Sequence, residues 1–350
     1  MKSGNFRSRR LALACAAAAG ALSTFSFQQA FAGTSEDADA APDAAARAVW
    51  REAMSHNSES GPGCFTATYP SYVWEQTQCK VVHPKLRRAQ KPAPDRLLVT
   101  GNGNDYVVQG TGLISETIGS FPTVSDVTSE KSAGVAAFGG GGILGKNEYS
   151  LQINTDFNGT TAACKNHSGC VVWQQFVYAT DYETAGEAAV FIEYWLIGWG
   201  SSSCPSGWES DGAGDCVINS NATRAPDVAP TTASLAKIKL TGSAVSGGND
   251  TVVFNNGTTA YSLSASDSVV DIAQVWQQSE FNIVGDAGGS RADFNRGASI
   301  TVKVAVHDGS TSAPRCVANS GTTGETNNLT LGSCSTASGS TPSIQFTEHD

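Results

Sequence analysis

From residue 97 onward the sequence is a succession of short β-rich runs separated by turns of glycine, asparagine and aspartate, a pattern that narrows the possible folds sharply. The expected strands are Tyr106–Ile114, Tyr149–Asn154, Val171–Thr180, Ala188–Trp199, Leu235–Leu240, Thr251–Asn255, Ala260–Ala265, Glu280–Val284, Ser299–Val306 and Ser343–Thr347. Asn255-Asn256-Gly257 lies between two of them and marks a hairpin, because its residues tolerate the positive φ that tight β-turns require. No helical segments alternate with the strands, which excludes a βαβ fold, and no fixed-period repeat suggests a propeller or solenoid. The expectation is one all-β, antiparallel two-sheet sandwich of the jelly-roll kind over residues 97–350. Composition agrees: charged residues are 15% of the chain, against about 25% in an average domain. With 37 glycines and 2 methionines the chain is poor material for a helical bundle, while 40% apolar residues suffice for a core.

The amino terminus reads as an export signal. Lys2, Arg7, Arg9 and Arg10 precede an apolar run from Leu11 to Phe27, and Ala30-Phe31-Ala32 offers a small-residue cleavage site, so 1–32 is expected to be a signal peptide. The run is short and rich in alanine and serine, which favours a signal over a membrane anchor. Cleavage after Ala32 takes the net charge from −10 to −14. An acidic secreted protein follows, with no membrane association after signal removal and no affinity for nucleic acid, which needs clustered lysine and arginine.

Eight cysteines remain after the signal, an even number that suits disulfides in an exported chain. Eight cysteines permit 105 pairings; short loops favour Cys64 with Cys79, Cys164 with Cys170, Cys204 with Cys216 and Cys316 with Cys334. None of these spacings is that of a zinc knuckle, so no metal site is expected, and His167 reads as a loop histidine. Residues 33–96 form a separate pro-segment or linker region. An alanine- and aspartate-rich stretch through Val49, Trp50, Ala53 and Met54 could make a short helix, and a basic, proline-broken stretch spans Lys85 to Lys91.

Familiar catalytic motifs fail one after another. Gly101-Asn102-Gly103 lacks the helix a dinucleotide fingerprint needs. In Gly285-Asp286-Ala287-Gly288-Gly289, alanine stands where a serine nucleophile would. No metalloprotease helix motif, hydrolase elbow or unpaired cysteine appears. What remains is a set of polar residues inside aromatic strands. Gln174 and Gln175 follow Trp173 in mid-strand. Strand alternation puts Phe191, Glu193, Trp195 and Trp199 on one face, with Tyr194 on the other, and sets Glu280 and Asn282 opposite Phe281 and Ile283. A carboxylate on an aromatic face is costly unless it is solvated or bonded, and partial burial gives it the raised pKa that acid–base chemistry uses. The same residues on a solvated outer sheet would have no such role.

Four stretches, taken in order, resemble the glutamic peptidases of the eqolisin family and, more distantly, the neprosin peptidases. They are Trp173-Gln174-Gln175-Phe176-Val177, Phe191-Ile192-Glu193-Tyr194-Trp195, the hairpin Thr251 to Thr258, and Ser279-Glu280-Phe281-Asn282-Ile283-Val284. The resemblance covers about residues 165–306 and implies a concanavalin A-like jelly roll whose concave sheet carries a glutamine–glutamate dyad. By position the glutamate is Glu280 and the glutamine Gln174, with Gln175 the adjacent alternative; Glu193, Gln175 and Asn282 support, and Trp173, Phe191, Trp195 and Trp199 contact substrate. The implied activity is hydrolysis of protein or peptide substrates with no cofactor. The chain lacks the acidic residues that follow the glutamine and glutamate strands in that family, and the Cys204–Cys216 loop is its own.

Two other readings use the same residues. A lectin-like sandwich would bind glycans through Trp195, Trp199 and Tyr194 by ring stacking. A glycosidase or lyase would pair Glu193 with Glu280 about 5–10 Å apart.

Overall fold

Two large antiparallel sheets make up the body of the protein. In the computed structural model, residues 35–56, 61–85, 105–136, 139–200, 203–318 and 325–350 are described, with side-chain environments from residue 43. The chain divides into a unit over Met1–Pro42 and a unit over Asp43–Asp350; the second holds both sheets. The expected signal peptide and most of the basic stretch after Lys85 lie outside the described residues.

The nine-stranded sheet runs, edge to edge, through Glu75–Thr77, Gly63–Thr68, Thr259–Ser266, Asn249–Asn255, Lys239–Ala244, Glu116–Ser125, Ser299–His307, Ser343–His349 and Thr330–Ala337. The ten-stranded sheet runs through Glu209–Ser210, Cys216–Asn219, Glu187–Ile197, Val171–Thr184, Ser150–Thr155, Gln278–Val284, Tyr106–Gln109 and Arg315–Ala318, with Asn221–Pro226 and Lys80–Val81 attached. A four-stranded sheet of Thr326–Asn327, Ser290–Phe294, Glu130–Gly134 and Gly145–Lys146 completes the β structure. The all-β sandwich is thus the fold, and it begins earlier than residue 97: Gly63–Thr68 pairs with Thr259–Ser266, and Lys80–Val81 with Asn221–Ala222.

The core between the large sheets is filled by the apolar half of each alternating strand. Ile153, Phe176, Ile192 and Phe281 are wholly or almost wholly buried. Phe281 meets Phe121 of the facing sheet at 5.1 Å between ring centroids, and Tyr178 stacks on Phe254 at 3.9 Å. The sheets touch closely enough at two points to require glycine. A Cβ on Gly119 would come within 2.2 Å of the Phe281 ring, and one on Gly242 within 2.4 Å of Phe176.

The helix Ser35–Ala53 carries Trp50 in its last turn, and the Trp50 indole donates to the Ser71 carbonyl at 2.6 Å. Trp50 packs with Met54, Phe65, Trp74 and Val253 in a second, smaller core. Four disulfides join Cys64–Cys79, Cys164–Cys170, Cys204–Cys216 and Cys316–Cys334, the short-loop set. Among the described residues no helix is long and apolar enough to cross a membrane.

Several elements depart from the sequence expectation: Tyr106–Ile114 is a strand only as far as Gln109, strands such as Glu130–Gly134 and Thr330–Ala337 are not among those expected, and two further cases have a clear local cause. Leu235 closes a short helix, Thr232–Leu235, capped reciprocally by Thr231 and Ser234, and the strand starts only at Lys239. Glu116–Ser125, central in the nine-stranded sheet, carries glycine and proline and so does not read as a strand. Its register with Ser299–His307 shifts between Thr301 and Lys303, a bulge beside Pro122 that spares the ladder the proline's missing N–H.

Candidate functional site

Five polar residues lie in one row across the ten-stranded sheet. Asn219 pairs with Glu193, Glu193 with Gln175, Gln175 with Asn154, and Asn154 with Glu280, each directly opposite its neighbour. Directly opposed residues share a face, so the row points away from the core packed with Phe176 and Phe281. The next row carries Phe191, Val177, Gln152 and Asn282.

Hydrogen bonds join the row. Gln175 Nε2 donates to Asn154 Oδ1 at 2.8 Å and to Gln152 Oε1 at 3.1 Å, and Asn154 Nδ2 donates to Glu280 Oε2 at 2.5 Å. Glu280, 0% exposed, has its pKa pushed well above the carboxylate range by burial, then by the charge and hydrogen bond of Asp105 and the charge of Glu348; the Asn154 amide opposes this. Glu348, pushed up to about 8 by burial, accepts from Asn282 Nδ2 at 2.7 Å and Asn327 Nδ2 at 2.9 Å. Asp156 fixes the start of the Glu280 strand by accepting from the backbone of Gln277 and Gln278.

Gln174 does not join Glu280. It alternates with Gln175 and therefore faces the inter-sheet core, where its amide opposes the burial-raised pKa of Asp250. The expected Gln174–Glu280 dyad is corrected by this alternation: Gln175 is the glutamine on the Glu280 face. Glu193 is also on that face, its carboxylate accepting from Trp195 Nε1 at 2.7 Å.

The expected aromatic contacts divide. Phe191 and Trp195 line a pocket with Gln152, Gln175 and Glu193. Trp173 is buried beside Trp195 and Phe157, at 5.9 and 5.2 Å between centroids. Trp199 leaves the row, because the strand ends at Ile197 and Gly198 takes φ of 72°. It stacks on His167 at 3.6 Å and is buried. Tyr194 points into the core, so Trp195, Trp199 and Tyr194 form no common sugar-stacking platform. Glu193 and Glu280 are three strand spacings apart, about 14 Å along the sheet. Two amides lie between them, so they do not make a glycosidase acid–base pair. Among the described residues no group of three or more metal-ligating side chains is assembled.

Sequence reasoning missed Asn154, Gln152, Asp105 and Glu348. The first two were within reach: Leu151-Gln152-Ile153-Asn154 alternates apolar and polar, which places both amides on one face. Asp105 and Glu348 arrive by tertiary contact and carry no local signal.

Comparison with known proteins gives two solved structures. The eqolisin-family peptidase SCP-B, solved in complex with the tripeptide Ala-Ile-His, is 13% identical with a TM-score of 0.29; the match covers 70% of this chain and 98% of that one. Scytalido-glutamic peptidase, solved with a transition state analog inhibitor, is 12% identical with a TM-score of 0.28 over the same shares. No family model and no curated protein matches the chain.

Proposed function

We propose that this chain is a secreted peptidase-like hydrolase that cleaves peptide bonds with Glu280 and Gln175. The observation that carries the reading is the bonded row Gln175–Asn154–Glu280, in which a buried carboxyl with a raised pKa is linked through one amide to a glutamine that lines a pocket.

Glu280 and Asp105 together act as one acid–base unit. With one proton shared between them, the ionised carboxylate accepts a proton from water as the water attacks the substrate carbonyl. The same carboxyl then returns the proton to the leaving amine. Gln175 Nε2 spends both its N–H groups on Gln152 and Asn154 in the resting site. The substrate carbonyl replaces Gln152 as acceptor, and the bond strengthens as the oxyanion forms, a contribution of about 3–4 kcal/mol for such a donor. Asn154 holds the two members of the dyad in register, and Trp195 holds Glu193 at the pocket wall.

The test is incubation of the purified protein with denatured protein substrates from pH 2 to 8, beside a Glu280→Gln variant. Cleavage by the parent and none by the variant is the expected result. No cleavage by folded parent protein at any pH would overturn the reading.

A further inference from the structure

The pocket beside Gln175 holds more carboxyl groups than the proposed chemistry uses. Glu193, Asp286 and Glu325 all line it, and Lys85 is the single cation among its described lining residues. Asp286 is 1% exposed, and its Oδ2 has no hydrogen-bond partner among the described residues. A buried acceptor without a donor is costly, so an acceptor of this kind on a pocket-lining residue favours a ligand that brings an N–H. Burial raises the Asp286 pKa, Glu325 and Glu148 add to that, and the positive charge of Lys85 opposes it.

Lys85 shows how a cation sits here. Its ammonium lies 5.3 Å from the centre of the Tyr182 ring, which also lines the pocket, and 3.9 Å from Glu183 Oε2. Its backbone is anchored where its N–H meets the Tyr182 hydroxyl at 3.2 Å. A cation over an aromatic ring and beside a carboxylate is a common way for a basic side chain to be recognised.

We propose that this pocket is a subsite for a lysine or arginine side chain of the substrate peptide, with Lys85 as its intramolecular occupant. The proposal rests on the peptidase reading for the identity of the ligand as a peptide. The incoming side chain lays its stem along Tyr182 and Phe191 and brings its N–H groups to Asp286 Oδ2. Lys85 must swing out to admit it, since the free volume beside Lys85 is about 30 Å³, enough for a water or two but not for a side chain.

Binding tests this without requiring cleavage. Fluorescently labelled alanine pentapeptides carrying one lysine, or one norleucine at the same place, are titrated into parent protein and into Glu280→Gln, with anisotropy as the readout. The lysine peptide should bind about tenfold or more tightly, as expected for a desolvated charge partner. Asp286→Asn should bring the ratio of the two affinities toward one, Glu325→Gln should lower it, and Lys85→Ala should tighten the lysine peptide. Should Asp286→Asn fail to fold by near-ultraviolet circular dichroism, Glu325→Gln and the exposed-site Lys85→Ala decide. Equal affinity for both peptides in the parent and in Lys85→Ala overturns the subsite. Lysine-selective binding without cleavage leaves the subsite standing and removes the peptidase reading; cleavage of both peptides with equal KM does the reverse.

Discussion

Asn154 donates its side-chain amide to Glu280 at 2.5 Å, while on Glu280's other side the Asp105 carboxyl drives its pKa up. The two neighbours therefore pull one carboxyl in opposite directions. Removing the amide in Asn154→Ala takes away a bond that favours the carboxylate, so the pKa of Glu280 should rise. Removing the charge in Asp105→Asn takes away a repulsion, so it should fall. If Glu280 is the base, the limb of the kcat/KM profile on which it ionises moves to higher pH in Asn154→Ala and to lower pH in Asp105→Asn. A pH–rate series on both variants checks the signs. Shifts in the same direction would remove Glu280 from the base role.

The two adjacent glutamines should separate in mutant kinetics. If Gln175 is the oxyanion donor, Gln175→Ala should lower kcat by about 10²–10³-fold with a small change in stability. Gln174→Leu removes the amide that opposes protonation of buried Asp250. It should move the Asp250 pKa further up and change the melting temperature, while kcat per folded molecule stays close to the parent's. Equal kcat losses in both variants would show that strand alternation does not decide which glutamine is functional.

The Cys64–Cys79 bridge ties the strand Gly63–Thr68 to the residues just after the edge strand Glu75–Thr77, across 15 residues. A loop of that length contributes about 3 kcal/mol by restricting the unfolded chain. Cys64→Ala with Cys79→Ala should lower the denaturation midpoint correspondingly, and the Trp50–Trp74 cluster should lose its native fluorescence first, since that cluster packs on the tied strand. Simultaneous loss of every probe would place the N-terminal strands inside the main cooperative unit.

Gly119 should tolerate nothing larger. Its Cβ would collide with the ring of Phe281, the residue after Glu280, so Gly119→Ala must push that strand outward or displace the ring. Overpacking of this kind costs about 1–3 kcal/mol. It should also lower activity through the shifted Glu280, measurable as a kcat loss at unchanged KM. A Gly119→Ala protein with parent stability and parent kcat would contradict the close approach.

Strand alternation made much of the site legible in the sequence. Glu193, Glu280 and Asn282 stand out because they are polar in aromatic runs, and the structure puts them on the face the pattern predicts. The resemblance points to Gln174 by position alone, and a glutamine pair offers no local means of choosing; the nearness of Gln174 to Asp250 in the core is fixed only by folding. Alternation places Trp199 with Glu193 only if it extends past Gly198, whose left-handed backbone turns the chain. The Glu116–Ser125 strand was hidden by Gly119 and Pro122, both explained by contacts with distant residues. Asp105, Asp286 and Glu348 lie at loops or strand ends and acquire their roles through long-range packing.

The buried carboxyls predict how stability depends on pH. Glu130 is pushed up to about 9 by burial and by Glu148 and Asp293, and Glu348 to about 8 by burial. Glu148 is raised to about 7 and Asp227 to about 6, burial leading in both and Asp181 adding to each. These groups hold protons more tightly in the folded than in the unfolded chain, where they titrate near pH 4. Their contribution is therefore fully present below about pH 4 and is lost stepwise as pH climbs through 6 to 9. Carboxyls held down by partners, such as Asp308 bonded to Thr111 and Ser310, oppose this only in strong acid. The protein should melt higher at pH 4–5 than at pH 8–9, and Glu130→Gln should flatten the upper part of the curve by removing the most strongly raised of the four. Differential scanning calorimetry from pH 3 to 9 measures both. A melting temperature that rises from pH 5 to 9 would show that these carboxyls are solvated in solution, and with them the burial on which the acid–base role of Glu280 depends.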